Sequence, residues 1–109
     1  MVIALFQSKR RPASEANADY GKLSRRLTDI VSHLPGFISV DTFSSGSGEG
    51  LVVARFESQE ALEAWWRHAD HRAAQERRED FYEAYSVHVC EVVRDYAWQS
   101  ASVEDPARA

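Results

Sequence analysis

Residues 34–56 read LPGFISVDTFSSGSGEGLVVARF, and the fold turns on how this stretch is parsed. Pro35-Gly36 is a turn pair that cannot continue a helix, so any helix before it stops there. Phe37, Ser39 and Asp41 then alternate with Ile38, Val40 and Thr42, the two-residue period of a strand. Ser44 to Gly50 holds three glycines and three serines, a flexible connection into the apolar run Leu51 to Phe56. Two strands joined so closely pair antiparallel.

Upstream, Tyr20, Leu23, Leu27, Ile30, Val31 and Leu34 recur at three- and four-residue steps, one apolar stripe along a helix that Ser14 is placed to cap. Before it, Val2 to Gln7 forms a first strand, closed by a charged loop from Lys9 through Arg11 and by Pro12. Downstream, Ser58 caps a second helix whose apolar side begins at Leu62, Trp65 and Trp66, with Glu60 suiting the helix dipole. That helix is expected to bend or restart near Asp70, which caps a further stretch through His71, Ala74, Arg78 and Phe81. Tyr85 to Tyr96 then reads as a long fourth strand. The order is β-α-β-β-α-β, an α+β chain of the ferredoxin-like type: a four-stranded antiparallel sheet with both helices on one face.

The first, third and fourth strands carry apolar residues at both parities: Val2, Ala4 and Phe6 against Ile3 and Leu5, and Leu51 and Val53 against Val52, Ala54 and Phe56. A sheet with one wet face alternates apolar with polar, so two apolar faces and helices for only one imply a second copy on the other. The expectation is a homodimer joined through its sheets. At 109 residues there is material for one core, taken as a single domain over 1–99 with a loosely attached tail over 100–109.

Seventeen acidic against thirteen basic residues give a net charge of −4, which offers no general attraction to phosphate backbones or anionic membranes. Neither nucleic acid nor membrane is expected as a partner. Cys90 is the only cysteine, so no intrachain disulfide forms, and a cytoplasmic location is the default. The apolar start, Met1 to Phe6, is too short for a signal peptide or a span. Cys90 shares one strand face with His88 and is read as a small buried hydrophobe.

The chemistry-bearing residues crowd into WWRHADHRAAQ at 65–75, FYEAY at 81–85 and VHVCEV at 87–92. A tryptophan, then His-x-x-His-x-x-Ala at a helical break, then Phe-Tyr-x-x-Tyr leading into Val-x-Val-Cys resembles a bacterial branch of the antibiotic biosynthesis monooxygenase (ABM) domain family. Leu34-Pro35-Gly36-Phe37 and the run from Phe56 to Trp65 are similar to that branch as well, so the resemblance reaches almost to Trp98. It implies a face-to-face dimer, the dimeric α/β barrel, with a pocket in each subunit between sheet and helices. The better-known members oxidise aromatic polyketides without metal or flavin, or bind and degrade haem.

Cofactor-free oxygenation needs an electron-rich substrate anion, a base or positive group to hold it, and a dry apolar wall. The candidates are His71 as base or donor, Arg72 as electrostatic partner and Tyr82 or Tyr85 as an orienting hydroxyl. Trp65, Trp66, His68, Phe81 and Tyr85 are candidates for substrate contact. Each has a plainer reading. The two indoles sit about 100 degrees apart on a helix, so one packs centrally and the other, taken as Trp66, walls the pocket. One of the histidines is equally suited to bonding backbone at the break, and Arg72, Arg77 and Arg78 to solvent. No metal is expected, because His68, Asp70 and His71 lie too close along one stretch to converge on a tetrahedral ion.

The haem-degrading branch carries an asparagine in the first strand and a histidine about ten residues beyond the helix tryptophan. This chain has Gln7 in the first and Gln75 or Glu76 in the second. The reading that follows is a cofactor-independent monooxygenase of a small electron-rich aromatic or quinol, with a haem-binding or other small-hydrophobic-ligand-binding dimer as the alternative.

Overall fold

The strand that ties the sheet together is β1 (Val2–Arg10), because apolar side chains on both of its faces suit a central position. β3 (Glu49–Phe56) pairs antiparallel on one side of it and β4 (Tyr82–Glu91) on the other, while β2 (Phe37–Ser44) flanks β3, giving the order β2-β3-β1-β4. The computed structural model describes residues 1–12 and 16–101. The expected cap at Ser14 and most of the expected tail lie outside those residues.

The helices are α1 (Ala16–Ser32), α2 (Gln59–Arg67), α3 (Ala69–Glu76) and the single turn α4 (Arg78–Phe81). They cover one face of the antiparallel sheet, the ferredoxin-like arrangement read from the element order. In register, Ala4 stands opposite Ala54 and Phe6 opposite Val52, so the even-numbered residues of β1 and β3 look toward the helices. Val2 and Phe56 there meet Val31 of α1 and Leu62 and Trp65 of α2, and this cluster is the core. Burying five such side chains supplies about 1.5–3 kcal/mol each before the cost of ordering the chain.

The turn at 35–36 behaves as its sequence requires. Gly36 has φ 83°, a left-handed conformation, and a Cβ at this position would stand 2.5 Å from the Cβ of Ala61. The close approach lets α2 settle over the turn, and the Glu57 amide donates to the Gly36 carbonyl at 2.7 Å. Ser58 caps α2 as expected, its hydroxyl accepting from the Ala61 amide at 3.2 Å.

Four details depart from the sequence reading. First, Lys9 and Arg10 belong to β1 and not to a loop: Lys9 stands opposite Glu49 in the sheet, and the Arg10 amide donates to the Gly48 carbonyl at 2.9 Å. Second, the alternation in β2 is interrupted by a bulge at Ile38, so Phe37 shares the helix-facing side with Val40 and Thr42.

Third, β4 starts at Tyr82 and ends at Glu91, offset from the expected 85–96. Its bounds follow its partner β1: Arg10 pairs Tyr82 at one end and Val2 pairs Glu91 at the other. Val93, Tyr96 and Trp98 then run on without a ladder, 98%, 92% and 85% exposed. Fourth, the break before α3 is capped by His68 and not Asp70: the His68 ring accepts from the Asp70 amide at 3.2 Å.

The face away from the helices carries Ile3 and Leu5 of β1, Leu51 and the buried Val53 of β3, and the half-exposed Phe43 of β2. Cys90 and His88 join them from β4, opposite Ile3 and Leu5. Cys90 is exposed here, not buried, because none of the described elements covers that side.

Candidate functional site

Between sheet and helices lies a half-open, largely apolar cavity of about 190 Å³. Its floor is sheet: Phe6 from β1, Val52 and Ala54 from β3, and Val40 and Thr42 from β2. Its walls are the α1 stripe, through Tyr20, Leu23, Leu27 and Val31, and the short helices, through Trp65, His71, Ala74, Gln75, Arg78 and Phe81. A wider trough of about 730 Å³ opens on the other face, lined by Leu5, Phe43, Leu51 and His88 among others. It is the more open of the two and mixes apolar with polar side chains, whereas the smaller cavity is the one that gathers His71 and Tyr82.

The break at His68 is what turns His71 inward. The His68 amide donates to the Trp65 carbonyl at 3.0 Å, closing α2, and α3 sets off in a new direction. His71 thereby lies flat on Trp65, ring centroids 4.5 Å apart and 17° from parallel, with Trp66 edge-on at 5.8 Å. Burial is the main cause that lowers the His71 pKa from 6.5 to about 4, and the positive charge of Arg78 adds to it. Hydrogen bonds to the carbonyls of Trp65 and Trp66 act in the other direction and are outweighed. At neutral pH the ring is neutral, so it has one N–H to donate and one lone pair to offer. Gln75 lies 3.5 Å from its Nδ1.

At the opposite wall the Tyr82 hydroxyl donates to that of Tyr20 at 3.0 Å. Burial pushes the Tyr82 pKa up, and the bond to Tyr20 adds to the shift, so this phenol stays protonated. The Tyr20 ring is held by Arg10, whose guanidinium carbon lies 3.5 Å from the ring centroid. Phe81, Tyr82 and Phe6 complete an aromatic cluster of edge-to-face pairs.

Of the residues picked out in the sequence, His71, Tyr82, Trp65 and Phe81 are brought together in the cavity lining. Trp66 is not in that lining: Trp65 is the indole that faces the cavity, and Trp66 lines a separate shallow groove with Leu62 and Val89. Arg72 is exposed on the outer side of α3, where helical rotation puts the residue next to an inward histidine. His68 serves the cap, and Tyr85 stacks on Phe6 at 5.8 Å beside the cavity. Tyr20, Gln75 and Arg78 join them in the lining, and Arg78 is half-buried there and not given over to solvent as its sequence reading has it. The signal for two of them was present, since His71, Ala74, Gln75 and Arg78 fall at steps of three, four and seven, one helical face. Among the described residues no cluster of three or more His, Cys, Asp or Glu stands ready for a metal, and no helix is long and apolar enough to cross a membrane.

A family model described as antibiotic biosynthesis monooxygenase matches residues 1–77. The uncharacterized protein YqjZ of Bacillus subtilis (strain 168) is 33% identical over 87 residues, 79% of this chain and 76% of that protein. Among solved structures, Rv0793 from Mycobacterium tuberculosis is similar with a TM-score of 0.76 at 17% identity, covering 88% of this chain and 98% of its own. SnoaB, a cofactor-independent oxygenase from Streptomyces nogalater solved in a mutant form, is similar with a TM-score of 0.73 at 9% identity, covering 86% and 94%. At such identities the two structures speak for the fold alone.

Proposed function

Because this chain belongs to the antibiotic biosynthesis monooxygenase family, we propose that it is a cofactor-independent monooxygenase of a small electron-rich aromatic or quinol, with its active site in the cavity between sheet and helices. The observation that carries this reading is the neutral His71 lying on Trp65 at 4.5 Å inside an apolar cavity. An aromatic substrate packs against Phe6 and Trp65, and its hydroxyl meets the lone pair of His71. The Tyr20 hydroxyl, which accepts from Tyr82 and keeps its own proton, and the amide of Gln75 supply donors for oxygen atoms that gain charge.

For a hydroxyarene the reaction balances without a reductant. The carbon para to the hydroxyl loses its one hydrogen and gains one oxygen atom from O₂, the hydroxyl loses its own hydrogen to become the second quinone carbonyl, the other oxygen leaves as water with both hydrogens, and the substrate supplies all four electrons. The protein's part is to orient the ring, exclude water and hold charge that develops on the substrate oxygen. SnoaB, which shares the fold, is described as working without a cofactor. Haem does not fit this cavity: about 190 Å³ falls below the ~300–1,000 Å³ of pockets for drug-sized ligands, and Gln75 stands where the haem-degrading branch has histidine.

The working form is a homodimer in the cytoplasm, joined through the face that carries Ile3, Leu5, Leu51 and Phe43. Oxygen uptake by metal-stripped protein, measured against quinols and naphthols, tests the activity. Saturable uptake above the uncatalysed rate, lowered about 10²-fold in His71→Ala and lowered in Trp65→Phe, is the expected result. Uptake that is absent across the panel, with naphthols still bound, would leave a ligand-binding dimer in its place.

A further inference from the structure

We propose that Arg78 is the counter-charge of the substrate, so that the cavity takes a one- or two-ring hydroxyarene as its phenolate and not as the neutral phenol. The inference rests on the reading of this cavity as the ligand site. Among the described lining residues Arg78 is the only charged side chain. Its guanidinium carbon lies 4.9 Å from the centroid of Tyr85 and 5.8 Å from that of Phe6, two rings stacked on each other at 5.8 Å. Aromatic faces hold a cation in place without consuming its N–H donors, which point outward in the plane of the group.

Carboxylates nearby are engaged elsewhere. Arg77, the preceding residue, pairs with Asp19 at 3.8 Å and Asp80 at 3.4 Å, and Lys9 takes Glu83 at 3.8 Å. Among the described residues no ion pair occupies Arg78. A half-buried cation at the wall of an apolar cavity, with no carboxylate in the lining, is an environment suited to an anion. His71 cannot fill that role alone. A ring whose proton affinity is already depressed does not retain a proton taken from a phenol, and Arg78 is one of the groups that depresses it.

The other groups facing this region are His71 from α3, Tyr20 from α1, Tyr82 and Tyr85 from β4, and Arg10 from β1, stationed over Tyr20. None of them is a carboxylate. Size sets the second limit: about 190 Å³ is little more than an engineered cavity of ~150 Å³ that accepts benzene, which suits one ring or two fused rings and excludes a flat tricycle.

The test uses 4-nitrophenol, whose phenolate is visible by absorbance, and reads the apparent pKa of the bound probe. Burial in an apolar cavity raises a phenol's pKa, whereas a cation within ion-pairing distance lowers it, so the sign alone discriminates. In the wild-type protein the bound probe is expected to titrate about one unit lower than in water, an anion preference of about tenfold. Arg78→Gln should reverse the sign, and Arg78→Lys, which keeps the charge, should retain a downward shift.

A wild-type probe shifted upward, or a downward shift that survives Arg78→Gln, overturns the assignment of Arg78. Ala74→Trp, which fills the cavity, keeps that result separate from failure of the site itself. If it abolishes binding, the cavity is the ligand site and only the role of Arg78 is at stake. If the probe binds Ala74→Trp as well as wild type, or binds neither, the cavity reading falls and the proposal with it.

Discussion

Holding His71 neutral has a consequence for stability that can be measured without knowing a substrate. In the unfolded chain this imidazole takes up a proton as the pH falls through about 6.5, whereas in the folded protein it does so only near 4. Between those values the unfolded state binds more protons, so acid favours unfolding. The stability associated with the neutral ring is fully present above pH 6.5 and is lost progressively as the pH falls toward 4. The whole shift, about 2.5 units, corresponds to about 3 kcal/mol, and solvent screening of a ring that is only part-buried reduces the expected loss to about 1–2 kcal/mol.

Urea unfolding at pH 7.5 and pH 4.5 measures the difference, and His71→Phe supplies the reference. Phenylalanine preserves a ring on Trp65 but cannot titrate. The wild type should therefore lose about 1–2 kcal/mol more than His71→Phe across that interval. Equal losses in the two proteins would refute the buried, neutral placement of the ring. So would a resonance assigned to the His71 imidazole that titrates near 6.5 in the folded protein.

Three further outcomes follow from the geometry. Gly36→Ala should destabilise the protein by about 2–5 kcal/mol in urea unfolding, since a Cβ there combines a left-handed backbone with a 2.5 Å approach to Ala61. Ser58→Ala removes the cap of α2 and should cost about 0.5–2 kcal/mol by thermal or urea melting, with Ser58→Thr nearly neutral. Leu5→Asp, on the face without helices, should convert a dimer to a folded monomer in light scattering. The same change at Val89 would test something else, because Val89 lies beside Trp66 on the helix side.

Much of the architecture was legible in local patterns, because those patterns reflect forces that act over a few residues. The α1 stripe from Tyr20 to Val31, the turn at Pro35-Gly36 and the cap at Ser58 all appear where the spacing put them. The errors lie where distant residues decide. β4 cannot be delimited from its own composition, since its ends are fixed by Val2 and Arg10 across the sheet. The bulge at Ile38 changes which side of β2 faces the core, and a strand's alternation does not announce a bulge.

The candidate site divides in the same way. Sequence alone determined that the chemistry-bearing residues concentrate at 65–85 and that a helical break falls among them, because residue type and helix capping are local properties. Which indole faces inward, and which arginine accompanies His71, was decided only by the tertiary structure. A rotation of 100 degrees per residue separates Trp65 from Trp66 and Arg72 from its inward neighbour, and nothing within the helix says which side meets the sheet. Packing against Phe56 and Val2 fixes that rotation, and with it the set Trp65, His71, Gln75 and Arg78 that surrounds the cavity.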